Sequence, residues 1–393
     1  MKNLNFLIKP ASSLCNMRCR YCFYEDVSAH RAVKSYGFMS RETAEALIRS
    51  AFRGAGFGGT VTFAFQGGEP TMAGLPFYEA FAALEKKHSA PGVAVRHAIQ
   101  TNGQVIDPAW ARFFKEHHFL VGLSMDGTRD LHDLYRIDGR QRGTWKTTAS
   151  ALSLLQAHSV EVNLLCVVTK QTARRALKVY HSLKKLGVRY LQFIPCLDPI
   201  GGARGAEPYS LDPISYGHFL CSLFDAWYAD WKAGQYVSIR LFDDYIHSMT
   251  GHPVGSCAAS GRCGGCLVVE SDGGLYPCDF YVLDRWRLGS ILDESPLDAF
   301  SGELAQKFVS EGAIRPADCG SCPWSAICRG GCKRDWRTVD GRCVNYYCPS
   351  FQQLFSYAFP RLQEIARAEL RAANLAGPYV SPPQPLHTST QDV

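Results

Sequence analysis

The sequence predicts an α/β fold, a partial (β/α)6 TIM-like barrel followed by a smaller cysteine-rich domain. Three observations carry that expectation. Up to about residue 200, short β-branched and aromatic runs alternate six times with segments of helical periodicity. Polar or glycine-rich residues repeatedly follow the strand ends. Beyond that point, Cys257 to Cys348 packs ten cysteines into 92 residues with few long apolar elements. Regular βα alternation implies a parallel sheet with right-handed crossovers, and in such barrels function gathers on the loops at the C-terminal ends of the strands. Six units rather than eight leave the barrel open.

In order, Leu4–Ile8 reads as a short buried strand, and a cysteine-rich loop follows it directly. Ser40 is a plausible N-cap for a helix through Phe52, with Ala44, Leu47, Ile48 and Ala51 at helical spacing. Val61–Phe65 is a strand ending in Gln66-Gly67-Gly68-Glu69-Pro70. Phe77–Lys87 is helical, Val95–Gln100 a strand, Pro108–Glu116 a helix, and Phe119–Leu123 a strand ending in Ser124-Met125-Asp126-Gly127. Trp145–His158 is a helix, Val160–Val168 a strand, and Thr172–Leu186 a helix starting at a threonine cap. Tyr190–Ile194 is the sixth strand, followed by Pro195-Cys196-Leu197-Asp198. Ile214–Lys232 is an aromatic-rich helix, and Gln352–Leu375 is a final helix kinked or restarted at Pro360. These elements divide the chain into a barrel with its following helix (1–235), a cysteine-rich domain (236–350), a C-terminal helix (351–376) and a tail with four prolines (377–393) expected to be disordered.

The composition narrows the function classes. At 393 residues and 46% hydrophobic content the chain can bury a large core. A formal charge of +6 without a basic run gives no support for nucleic-acid binding. No segment approaches the ~18 apolar residues of a membrane helix, and Met1–Pro10 has no cleavage-site pattern. Sixteen cysteines in so long a chain without a signal peptide suit metal-bound thiols in a reducing cytoplasm better than disulfides.

Two motifs carry chemistry. Cys15-x3-Cys19-x2-Cys22 has no fourth cysteine nearby, and the nearest histidine, His30, lies beyond a polar loop. Three thiolates on a [4Fe–4S] cube leave one iron open, as a catalytic zinc keeps one position free. Gly67-Gly68-Glu69 follows a strand, where glycines let backbone approach a ligand, and Glu69 with the strand-end carbonyls is expected to accept from an amino-acid ammonium. The second cysteine set is Cys257, Cys263, Cys266 and Cys278, then Cys319-x2-Cys322-x5-Cys328-x3-Cys332, then Cys343 and Cys348. Zinc is the cheap alternative for its C-x2-C pairs. Cys166, Cys196 and Cys221 are isolated, and for Cys166 in a strand and Cys221 in a helix a buried core thiol is the default.

The triplet together with the Gly-Gly-Glu turn resembles the radical S-adenosylmethionine superfamily, over roughly residues 4–200. The second set resembles the SPASM extension, which holds two auxiliary [4Fe–4S] clusters. That resemblance implies Cys257, Cys263, Cys278 and Cys332 for one and Cys319, Cys322, Cys328 and Cys348 for the other, with Cys266 and Cys343 as non-ligands. Tyr276-Pro277-Cys278-Asp279-Phe280-Tyr281-Val282, Gln66–Thr71 and Phe193–Leu197 are similar to the anaerobic sulfatase-maturating enzymes. This implies three [4Fe–4S] clusters, S-adenosylmethionine contacts at Tyr21, Gly68, Ser124, Arg136 and Leu197, and Asp279 as catalytic base. It further implies oxidation of a Cys or Ser in an unfolded sulfatase to Cα-formylglycine, with electrons from a donor such as flavodoxin or ferredoxin. Another SPASM-type maturase, thioether-forming or decarboxylating, usually needs a peptide-docking domain ahead of the barrel, and the first strand begins at about residue 4. A non-catalytic zinc protein is the reading from a different class.

Overall fold

The computed structural model describes residues 3–376, so the proline-bearing tail lies outside the described residues. Six parallel strands run in sequence order: β1 (Asn3–Ile8), β2 (Thr60–Phe65), β3 (Ala94–Thr101), β4 (Phe119–Ser124), β5 (Glu161–Val168) and β6 (Tyr190–Pro195). Each expected strand is present within one or two residues of its expected bounds. The sheet then extends further than the sequence suggests. At one edge β7 (Ser238–Ile239) adds parallel to β6; at the other β8 (Leu267–Val269) adds parallel to β1, followed by antiparallel β9 (Gly274–Tyr276) and β10 (Gly289–Ser290). The cysteine-rich segment is therefore stitched into the barrel sheet, with Phe6 opposite Leu267 and Ile8 opposite Val269.

Local chemistry explains the element ends. Ser40 caps its helix (Arg41–Ala55) by accepting from the Thr43 N–H, and Asp107 and Asp212 cap helices that begin with Pro108 and Pro213. The helix expected over 172–186 is instead two pieces, Lys170–Ala173 and Ala176–Lys184, and the capping side chain is Thr169, which accepts from the Thr172 N–H. The C-terminal helix runs unbroken from Cys348 to Ala376 through Pro360, so no restart occurs there. Its contacts with the 213–232 helix, among them Arg361 with Asp225 at 2.7 Å, supply what the lost backbone bond does not. Short helices also form at Phe23–Ala29, Arg129–Tyr135 and Arg240–Thr250.

One apolar core lies between β1–β4 and the first helices, with Val61, Phe63 and Phe65 essentially inaccessible. A second packs β4–β6 against the 213–232 and C-terminal helices. A third, small core (Val268, Tyr276, Val282, Trp286, Phe308) belongs to the cysteine-rich domain and takes in Tyr24 and Val27 from the Phe23–Ala29 helix. That domain thus has apolar packing of its own beside its thiols. No helix among the described residues is long and apolar enough to cross a membrane.

Candidate active site at the mouth of the barrel

The loop after β1 brings Cys15, Cys19 and Cys22 to the C-terminal end of the sheet. Cys22 caps the Phe23–Ala29 helix, its sulfur accepting from the Glu25 N–H at 3.4 Å, and Cys15 accepts from the Met17 N–H at 3.3 Å. Burial first, with neighbouring thiols adding to it (Cys19 and Cys22 for Cys15, Cys22 for Cys19), pushes the Cys15 and Cys19 thiols up to about 12. Thiols so placed are costly to ionise alone, and a cationic cluster that takes their charge removes that cost. The donor set fits an iron–sulfur group held by three thiolates.

The Gly-Gly-Glu turn also has a structural task. Glu69 is fully buried and already satisfied: Thr71 N–H, the Thr71 hydroxyl and the Thr101 hydroxyl donate to Oε1, and the Asn102 N–H donates to Oε2 at 2.8 Å. Burial raises its pKa, against these bonds. Glu69 is thus a brace between the ends of β2 and β3. Gly68 faces the chain itself: a Cβ there would stand 2.2 Å from the Leu14 carbonyl oxygen, which accepts the Glu69 N–H.

Tyr21, Ser124 and Arg136 are all buried near this mouth, and Leu197 is half-buried beyond the end of β6. Asp126 ties two of them, Tyr21 and Arg136, together. It accepts from the Tyr21 hydroxyl, from Arg136 Nε at 2.9 Å and NH2 at 3.3 Å, and from the Val167 N–H at 2.9 Å. The Arg136 guanidinium is paired with Asp126 and also lies 5.5 Å from the Tyr21 ring.

Beneath them His132 accepts the Asp126 N–H on Nδ1 (3.3 Å) and meets Thr144 Oγ1 through Nε2 (3.1 Å), while the Thr144 hydroxyl donates to the Arg136 carbonyl. The ring is therefore neutral with its proton on Nε2, and burial pushes its pKa down to about 4. The folded value lies below the ordinary 6.5, so the stability His132 contributes is complete above about pH 6.5 and is lost as pH falls towards 4, by up to ~3 kcal/mol. In denaturant melts at pH 4 to 7, the stability gap between the natural protein and His132→Gln should narrow as pH falls; a constant gap would contradict the assignment.

The second domain contributes Asp279, in a short 3-10 turn directly after Cys278. Its side chain is 14% exposed and reaches the barrel mouth. Lys9 Nζ, just past β1, meets Oδ1 at 2.5 Å, and Gln66 Nε2, just past β2, donates to Oδ2 at 2.9 Å. Neither partner was singled out from sequence; their position immediately after a barrel strand was the available signal.

All sixteen thiols are free. Cys278 and Cys332 feel the charge of Cys257, and Cys332 that of Cys263. Cys266 lies in the same neighbourhood: burial pushes it up to about 12, with Cys257, Asp279 and Lys9 acting on it. Cys319, Cys322, Cys328 and Cys348 line one cavity together with Trp324 and Phe355, and Cys343 acts on Cys319 from nearby. Among the described residues no three His, Cys, Asp or Glu side chains close up tightly enough to hold a single metal ion, so no ready zinc cage is found; an iron–sulfur cube, several atoms across, holds its thiolates further apart. Cys166 and Cys196 are buried core thiols, whereas Cys221 is only half-buried against the core.

Comparison with known proteins agrees with this geometry. The family described as the radical SAM superfamily matches residues 10–196, and the SPASM iron–sulfur cluster-binding domain matches residues 260–323. A cysteine-type anaerobic sulfatase-maturating enzyme of Clostridium perfringens is 45% identical over 368 residues, 93% of this chain and 99% of that protein. A serine-type enzyme of Klebsiella pneumoniae is 33% identical over 92% of this chain and 89% of its own. The solved structure of native anSMEcpe with bound AdoMet and Cp18Cys peptide superposes with a TM-score of 0.88 at 43% identity, covering 93% of this chain and 99% of that one.

Proposed function

Because the chain belongs to the anaerobic sulfatase-maturating enzymes of the radical SAM superfamily, we propose that it oxidises a cysteine side chain of an unfolded sulfatase segment to Cα-formylglycine, with Asp279 as the base. The preference for cysteine rests on the cysteine-type relatives, at 42–45% identity against 30–33% for the serine-type ones. The observation that carries the role of Asp279 is its placement: a carboxylate of the second domain held in the barrel mouth by residues at the ends of β1 and β2.

Cys15, Cys19 and Cys22 would hold the cluster with the open iron. Cys257, Cys263, Cys278 and Cys332 would hold one closed cluster, and Cys319, Cys322, Cys328 and Cys348 the other. When bound, these groups with adenosylmethionine supply hydrogen-atom abstraction from an unactivated carbon and an acceptor for the remaining electron. Tyr21, Gly68, Ser124, Arg136 and Leu197 would border the adenosylmethionine, with Asp126 fixing Tyr21 and Arg136. The chain's own part is to orient the target Cβ and to take its S–H proton onto an oxygen of Asp279. Loss of the proton and one Cβ hydrogen leaves a thioaldehyde, and water replaces the sulfur, released as hydrogen sulfide. A low-potential carrier such as flavodoxin or ferredoxin would supply the starting electron.

Two sulfatase-motif peptides, one with Cys and one with Ser at the target position, test this anaerobically with reconstituted enzyme, adenosylmethionine and a strong reductant. Mass spectrometry should show aldehyde on the Cys peptide at a rate well above that on the Ser peptide. Equal rates would make the enzyme dual in target, and aldehyde on neither would remove the proposed activity.

A further inference from the structure

We propose that Lys9 is a positioning residue, whose buried ammonium aims Asp279 at the target; the inference rests on reading Asp279 as the base. Lys9 is wholly inaccessible to solvent, an unusual place for an ammonium unless it is paired. Three features fix it. Its Nζ meets Asp279 Oδ1 at 2.5 Å and stands 3.8 Å from the centroid of the Tyr24 ring. The Tyr24 hydroxyl in turn donates to Glu270 Oε2 at 2.7 Å, which also receives Arg31 NH1 at 2.7 Å. Finally, Gly67 makes the room: a Cβ there would come 2.8 Å from Lys9 Cγ and 2.9 Å from Nζ. A row of alternating charges, Asp279, Lys9, Glu270 and Arg31, therefore runs inward from the mouth through Tyr24.

A simple joint between domains does not account for this. Buried ion pairs add little net stability, and apolar groups of similar volume serve as well or better. The joint exists without it, since β8 pairs with β1 and the Lys9 N–H donates to the Val269 carbonyl at 2.9 Å. What the pair does determine is the direction of one carboxylate. A carboxylate offers about four acceptor positions. Lys9 takes one on Oδ1 and Gln66 one on Oδ2, so the carboxylate plane is set while each oxygen keeps a free lone pair. Misplacing a reacting group by about an ångström costs up to ~100-fold in rate.

Lys9→Met in the full-length reconstituted enzyme tests this, read as aldehyde formed per adenosylmethionine cleaved, alongside iron content. The ratio should fall about ten- to a hundredfold while iron and cleavage stay near the natural level. Lys9→Gln, which restores one donor, should recover part of the ratio. Adding Lys9→Met to Asp279→Asn should lower the ratio no further, because Lys9 acts through Asp279. Equal loss of cleavage and aldehyde, or losses that multiply in the double variant, would make Lys9 a structural joint and overturn the inference. If Lys9→Met does not retain iron, Lys9→Gln is read by the same ratio, and a natural ratio there overturns the inference. Should Asp279→Asn leave the ratio intact, the base assignment falls first; should it lower the ratio while the Lys9 variants do not, only the present inference falls.

Discussion

Asp279→Asn should keep all iron and the cleavage of adenosylmethionine, yet lose aldehyde formation by ~10²–10⁴-fold, the usual range for removing a general base. The substitution preserves shape, and the amide oxygen can still accept from Lys9. It cannot take a proton from the target thiol. The rest of the site depends little on this carboxylate, because Cys15, Cys19, Cys22, Asp126 and Arg136 are held from other elements. A second effect accompanies the first. Lys9 has no exposure to water, so neutralising its partner leaves a buried charge uncompensated, at a cost of about 3–5 kcal/mol. The variant should therefore unfold at lower denaturant than the natural protein, and Lys9→Met added to it should recover stability while restoring no aldehyde. Both are measured on one preparation, by product analysis and by denaturant melts. A natural aldehyde yield from Asp279→Asn would remove it as the base.

The difference between what the sequence showed and what it hid follows the range of the interactions. Caps and periodicity act over a few residues, so Ser40 and the six barrel strands stand out locally. The 170–184 region starts earlier than Thr172 because Thr169 accepts from the Thr172 N–H, and it divides where Arg175 leaves helical geometry (φ −130°, ψ 33°). Strand β8 is three residues long and carries no alternation of its own; pairing with β1, some 260 residues away, makes it a strand, and β9 and β10 are added onto it in turn. Glu69 was legible as important, but its bracing of Thr71, Thr101 and Asn102 was not, since a carboxylate after two glycines looks the same in sequence with or without those partners. Lys9 and Asp126 were hidden for a related reason. Each is an ordinary residue at a strand end, and its meaning comes from one partner far along the chain, Asp279 for the first and Tyr21 for the second. The first cysteine triplet is the exception, because its spacing and the lack of a fourth ligand nearby already mark an open site.

Gly68→Ala should remove the first cluster outright while sparing the other two, leaving roughly eight irons of roughly twelve per chain and no cleavage of adenosylmethionine. The two glycines of the turn differ in what opposes a side chain. At Gly67 the obstacle is a side chain, that of Lys9. At Gly68 it is backbone: a Cβ would lie 2.2 Å from the Leu14 oxygen, 2.8 Å from the Ser12 oxygen and 2.9 Å from the Ser13 carbonyl carbon. That stretch cannot retreat cheaply, because the Leu14 carbonyl accepts the Glu69 N–H at 2.7 Å and the Ser12 hydroxyl accepts the Tyr36 N–H at 3.1 Å. The backbone at Gly68, with φ of +41°, adds about 1–2 kcal/mol for any L side chain. Relief comes only by lifting the 12–14 segment from the turn, and Cys15 is the next residue along it. The cysteine-rich domain is held by β8 and its own small core, so its thiols should keep their metal. Iron analysis separates this packing account from a pure ligand contact: a variant that keeps all its iron but binds adenosylmethionine poorly would show that Gly68 touches the cofactor and does not carry the cysteine loop.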